Sequence, residues 1–183
     1  VGIEKRILSA SVLAFLTLLT SVAIARHQGG GNAGGGAGNG GTGGTPECLD
    51  HGSVLNIDNN TVLHWETSTA NQFTARAHIA GMVDQIFPDH SGHRHFSVQI
   101  GSGPQDRIEV IYNLSFGALP GPNVGDQAEA CGDYITSNAP SGGYPASPDG
   151  ALLHWVHKST SAHDGGFVTI NGALYGQGNG TGN

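Results

Sequence analysis

The chain has 183 residues, enough for one domain of ordinary size, with a formal net charge of −7 and seven lysines and arginines in all. That balance argues against a purely electrostatic grip on nucleic acid, which depends on lysine and arginine. A nucleic acid could be held here only with a metal ion or protonated histidines. The 31 glycines suit a loop-rich β protein, and ten histidines are many for this length.

Residues 1–25 read as a secretory signal peptide. A charged start, Glu4-Lys5-Arg6, precedes an apolar run from Ile7 to Ile24, and Ala23-Ile24-Ala25 gives the small-x-small cleavage pattern. An uncleaved anchor is the alternative, because the run approaches bilayer length; it is the only membrane contact expected. Residues 26–45 are mostly Gly, Asn, Ala and Thr, which bury too little to offset ordering entropy, so they form a flexible tether. A single domain is expected over 46–176, with a disordered tail at 177–183. This organisation places the protein outside the cytoplasm, secreted or periplasmic. In that oxidising setting Cys48 and Cys131 are expected to pair.

Within the domain, Asn56 to Asn60 reads as a turn, Thr61 to Trp65 as a short strand, and Thr67 to Gln72 as a loop. Ala75 to Phe87 is a long strand whose alternation shifts phase, which predicts a bulge or bend; Gly81 fits one. After the turn at Pro88–Gly92, His93 to Ile100 alternates: Phe96, Val98 and Ile100 face one way, His93, His95, Ser97 and Gln99 the other. Asp106 to Tyr112 is a third strand with Ile108, Val110 and Tyr112 on its core face. A long Gly/Pro segment follows, then strands at 127–135, 151–157 and 167–175, the last broken by a turn at Asn171-Gly172. No persuasive helical period is found. The fold class is therefore all-β: a small OB-like barrel of five to six strands with long Gly/Pro loops, its first strand bent to serve both sides.

Several short motifs recur in order: Gly92-His93-Arg94-His95-Phe96, Tyr112-Asn113, Gly125-Asp126, Cys131-Gly132-Asp133-Tyr134, His154-Trp155-Val156-His157, then His163, Gly165-Gly166 and Asn171-Gly172. Over residues 75–176 this resembles an uncharacterised family of short exported bacterial proteins, catalogued as a domain of unknown function. The resemblance implies export and a small β-barrel domain. It transfers no catalytic residue.

Chemistry is expected where histidines gather. His93 and His95, two apart on a strand, share a face and can chelate one ion. His154, His157 and His163 crowd the stretch 147–166. On a strand, His154 and His157 would point to opposite sides, with Trp155 in the core as one reading. If folding joins the two groups, they form a site for zinc or another divalent metal, with Asp89, Asp149 and Asp164 as extra ligands or supporting carboxylates. Trp155, Tyr112 and Tyr134 are candidate stacking surfaces for a small ligand, glycan or peptide. The primary expectation is an exported binding domain with a histidine-built metal site. A metal-dependent hydrolase of phosphodiesters or glycosides and a pH-responsive envelope protein are the alternatives. HExxH, GxSxG and CxxC motifs are absent, and no residue pattern speaks to oligomeric state.

Overall fold

The computed structural model describes residues 44–159 and 163–179. The expected signal segment and the tether up to residue 43 lie outside the described residues. A small hairpin, β1 (Leu49–Asp50) and β2 (Ser53–Val54), precedes helix α1 (Asn59–Ser68). Then come β3 (Thr74–Ile86), β4 (His93–Gln99), β5 (Arg107–Asn113), β6 (Gln127–Thr136), β7 (Ala151–His154), β8 (Phe167–Ile170) and β9 (Ala173–Tyr175).

Five strands close into a barrel in the order β3-β4-β5-β7-β6 and back to β3. The β5–β7 pair is parallel and the other barrel pairs are antiparallel. This is the OB-like barrel expected from the strand pattern. β3 bends as predicted, pairing with β6 over Thr74–Met82 and with β4 over Met82–Ile86. The register shift falls between Val83 and Gln85, not at Gly81. Gly81 sits in regular pairing opposite Ala128, and a Cβ there would meet the Gln99 carbonyl oxygen at 2.0 Å. Its missing side chain serves strand crossing, not the bulge.

The core is the inward face of the barrel strands. Phe96 and Val98 of β4 meet Ile108, Val110 and Tyr112 of β5, with Ile79, Ala130, Tyr134 and Leu153 around them. Period-two alternation chooses that face. The disulfide joins Cys48 to Cys131, their Cα atoms 5.5 Å apart, and a satellite core of Phe167, Leu55 and Leu174 packs around it. Among the described residues, no helix is long and apolar enough to cross a membrane.

Two expectations about local structure are corrected. Thr61 to Trp65 is not a strand but the middle of α1. The Asp58 side chain caps that helix, accepting from Thr61 N at 3.0 Å and Thr61 Oγ1 at 2.7 Å. Val62, Leu63 and Trp65 pack onto the barrel core, and Asn59 ties the helix to the Ala80 and Ile100 carbonyls. Capping and docking outweigh the β-branched start of the segment. The chain past Gly176, expected to fray, bonds to the domain at least to Asn179: Gly178 N donates to Phe116 O at 2.9 Å, Gln177 Nε2 to Gly166 O at 3.0 Å and Lys158 Nζ to Asn179 Oδ1 at 2.5 Å.

Candidate functional site

β7 and β8 both pair antiparallel with β6, β7 along Asp133–Thr136 and β8 along Ala128–Cys131. Because β3 occupies the other edge of β6, these two strands run end to end along one edge. The chain leaves that edge after His154 and returns at Phe167. The expected strand 151–157 thus ends at His154, where Trp155 takes a φ of 52°. A bulky residue in the left-handed region costs energy and needs a reason. The reason here is steric. A Cβ at Gly132 would lie 2.4 Å from His154 O, and one at Gly166 would lie 2.4 Å from both Cys131 O and Trp155 O. Two glycines let the kink nest against β6, and Gly166 N closes its neck by donating to His157 O at 2.6 Å.

The excursion carries His154, Trp155, His157 and His163 into one neighbourhood. β4 contributes the other two predicted histidines, since its outward face abuts that of β5 and β7. The His93 ring centroid lies 5.5 Å from His154 and 6.4 Å from His95. His90, not anticipated, stands 6.5 Å from His95. Trp155 lies 4.4 Å from His154 and 5.9 Å from His163, so it separates the β4-side group from a second pair. In that pair His157 and His163 are 4.8 Å apart, edge to face. His157 is 3% exposed and stacks on Phe116 at 3.5 Å, which makes it a packing residue.

Four of these imidazoles, those of His93, His95, His157 and His163, are held by acceptors at Nδ1. His93 Nδ1 lies 2.9 Å from Ser91 O, His157 Nδ1 2.9 Å from Lys158 O, and His163 Nδ1 2.7 Å from Asp164 O. His95 Nδ1 lies 2.7 Å from Glu109 Oε1, whose side chain is 7% exposed. A neutral ring that donates from Nδ1 leaves the Nε2 lone pair as its ligand atom. Burial, reinforced by the charges of His93, His157, His95 and His163, pushes the His154 pKa down to about 3. Burial also lowers that of His157.

The predicted carboxylates divide. Asp89 pairs with Arg94 at 2.9 Å, and that hydrogen bond holds its carboxyl below the usual range. Asp149 does not join the histidines. It is buried with Ser97 and Arg107, and burial raises its pKa. Asp164 lies on the far side of His163 and accepts from His51 N at 2.9 Å. Tyr112 and Tyr134 are corrected as well. Both are fully buried: the Tyr112 hydroxyl donates to Gly117 O and accepts from Gly176 N, and the Tyr134 hydroxyl accepts from Thr136 Oγ1. Neither has a free face for a ligand; Trp155 is half-buried.

Among the described residues, the three side chains whose ligand atoms all lie within 4.8 Å of one another are Asp50, His51 and Asp164, not three of the predicted histidines. Asp50 and His51 were missed, since a turn at the domain entry gives no hint of what folds against it. Glu109 was missed too, though its signal was present: between Ile108 and Val110 it must face outward, beside the strand bearing His95.

The fold and this neighbourhood define a small closed β-barrel with an imidazole-rich excursion on one wall. Comparison with protein-family models and with curated proteins finds no match.

Proposed function

We propose that this is an extracytoplasmic binding domain that takes up a divalent transition ion through His93, His95 and His154. The observation that carries the reading is the anchoring of Nδ1. The Ser91 carbonyl and the Glu109 carboxylate fix the His93 and His95 rings so that Nε2 is the ligand atom, beside a His154 ring 5.5 Å from His93. Carboxylate and carbonyl support of this kind accompanies imidazole ligands in metal sites and raises their basicity. Both cysteines are in the disulfide, so the donor set is nitrogen, which suits zinc, copper or nickel. As the rings stand, the ligand atoms of the three histidines are not all within 4.8 Å of one another, so uptake of one ion requires the side chains to turn. Trp155 offers an adjoining surface for an organic ligand.

Binding is favoured over hydrolysis by the state of the carboxylates. Asp89 and Glu109, the acids that reach this group, are engaged by Arg94 and His95, leaving neither as a base for water. The disulfide and the resemblance of 75–176 to exported proteins support a place outside the cytoplasm.

The test is zinc and copper binding by untagged, chelator-stripped protein. Stoichiometric uptake, a rise in melting temperature and loss of both in His95→Ala are expected. No uptake at micromolar metal, or equal uptake by His93→Ala, His95→Ala and His154→Ala, overturns the reading.

A further inference from the structure

We propose that His90 is a fourth imidazole donor to the ion held by His93, His95 and His154, and that the completed four-nitrogen set suits Cu²⁺ over Zn²⁺. This rests on the ion-binding reading above and names the ion that the site serves.

His90 joins the group through the geometry of one turn. His90-Ser91-Gly92-His93 is a hairpin with a two-residue loop: His90 N donates to His93 O at 3.0 Å and His93 N to His90 O at 2.9 Å. Ser91 and Gly92 take φ of 50° and 76°, the left-handed pair that such a loop favours. Residues paired directly across a hairpin carry their side chains on one face, and so do residues two apart on a strand. His90, His93 and His95 therefore rise from the same side of the sheet. Arg94, between the two β4 histidines, alternates to the other face. It is spent there on Asp89 at 2.9 Å and on Leu119 O, so its charge does not stand among the imidazoles.

The ring spacings suit one ion. With each nitrogen about 2.1 Å from a metal, imidazoles that share it have centroids at most roughly 6.5 Å apart. His90 stands 6.5 Å from His95, His95 6.4 Å from His93, and His93 5.5 Å from His154. These contacts run from His90 at one end to His154 at the other. Closing the set requires rings to turn, and His90 is the one best able to do so. It is exposed, and its side-chain hydrogen bond is a long one, Nε2 to Ser91 Oγ at 3.4 Å. His93 and His95, by contrast, are pinned at Nδ1.

Donors that rise from one sheet face surround an ion from below and leave its outer position open. That arrangement matches the tetragonal nitrogen coordination preferred by Cu²⁺. A closed tetrahedron around zinc needs a donor from above. The nearby carboxylates do not compete, since Glu109 is engaged by His95 and Asp89 by Arg94.

The experiment titrates the untagged, chelator-stripped, disulfide-intact chain with Cu²⁺ and, in parallel, with Zn²⁺. Nitrogen superhyperfine structure in the copper electron paramagnetic resonance spectrum counts the imidazoles, and competition against a metal indicator gives each affinity. Four nitrogens are expected in wild type and three in His90→Ala. Copper affinity is expected to fall at least about tenfold in the variant, since even a supporting partner of a metal-bound histidine costs that much, and zinc affinity to fall less. The His90 side chain is exposed, so its removal leaves the fold intact; His64→Ala, at an exposed histidine of α1, is expected to match wild type. Fewer than four nitrogens in wild type, a nitrogen count and affinity unchanged by His90→Ala, or equal weakening of both ions overturns this inference and leaves the ion-binding reading standing. Absence of any copper or zinc uptake by wild type sinks that reading, and this inference with it.

Discussion

His95 and Glu109 meet diagonally across the β4–β5 pair, Nδ1 to Oε1 at 2.7 Å, on the outward face of the barrel. The carboxylate is nearly buried, so this contact sets both the orientation and the electron density of the ring. Glu109→Gln keeps the shape and removes the charge. We expect zinc affinity to fall roughly 10–100-fold, as for other supporting partners of metal-bound histidine, with the melting temperature of metal-free protein little changed. Competition against a zinc indicator measures the first and thermal unfolding the second.

Glu66 on α1 has one carboxylate oxygen buried with no hydrogen-bond partner among the described residues. Burial, with Asp149 and Asp106 nearby, pushes its pKa from the ordinary 4.5 up to about 8. The folded state therefore keeps a proton that the unfolded chain releases. Its contribution to stability is whole below pH 4.5 and is lost as pH rises to about 8. The slope reaches at most about 1.4 kcal/mol per pH unit. Urea denaturation across that range is expected to show the decline in wild type and a flatter profile in Glu66→Gln.

His154 acts in the opposite sense. Its pKa falls from 6.5 to about 3 on folding, so in acid the unfolded chain binds a proton that the folded chain refuses. Stability is intact above pH 6.5 and is lost as pH drops toward 3. In chelator-treated protein, His154→Gln is expected to remove part of this acid sensitivity, read as a smaller fall in urea midpoint on acidification. An unaltered midpoint shift would show that the ring is not held neutral by its surroundings.

Gly132 gives a steric test of the kink. A methyl group there would lie 2.4 Å from His154 O and 2.8 Å from Val156 Cγ1. Gly132→Ala is expected to destabilise the domain by about 1–3 kcal/mol, the usual cost of overpacking. Displacing the His154–Trp155 backbone should also shift Trp155 fluorescence and weaken zinc binding. Retention of native fluorescence and affinity would show that the kink does not depend on this clearance.

The barrel was readable in the sequence because strands announce themselves by period two. Phe96 and Val98 against His93 and His95, or Ile108 and Val110 against Glu109, fix which face is wet without knowledge of the partner strand. α1 escaped because Thr61-Val62 favours a strand locally, and the deciding contacts, Asn59 to Ala80 and Ile100, are tertiary. Tyr112 and Tyr134 were placed among stacking candidates by residue type, although Tyr112 also alternates with the core. The meeting of the histidines across Trp155 depends on Gly132 and Gly166 admitting a backbone turn, and nothing in the excursion itself reports that clearance. Asp50 and His51 became visible only with the 163–166 segment folded against them.

Since β7 and β8 lie in line along a single edge of β6, the residues between them form a detour whose exit and re-entry are fixed by one strand. Such a detour can lengthen, shorten or change composition while barrel closure stays the same. Barrel closure is thus separable from the exposed part of the detour, whereas His93, His95 and His154 stand on the barrel strands themselves. Within the detour Val156 and His157 are buried and Gly166 has no room for a side chain, so change there is confined to the exposed positions.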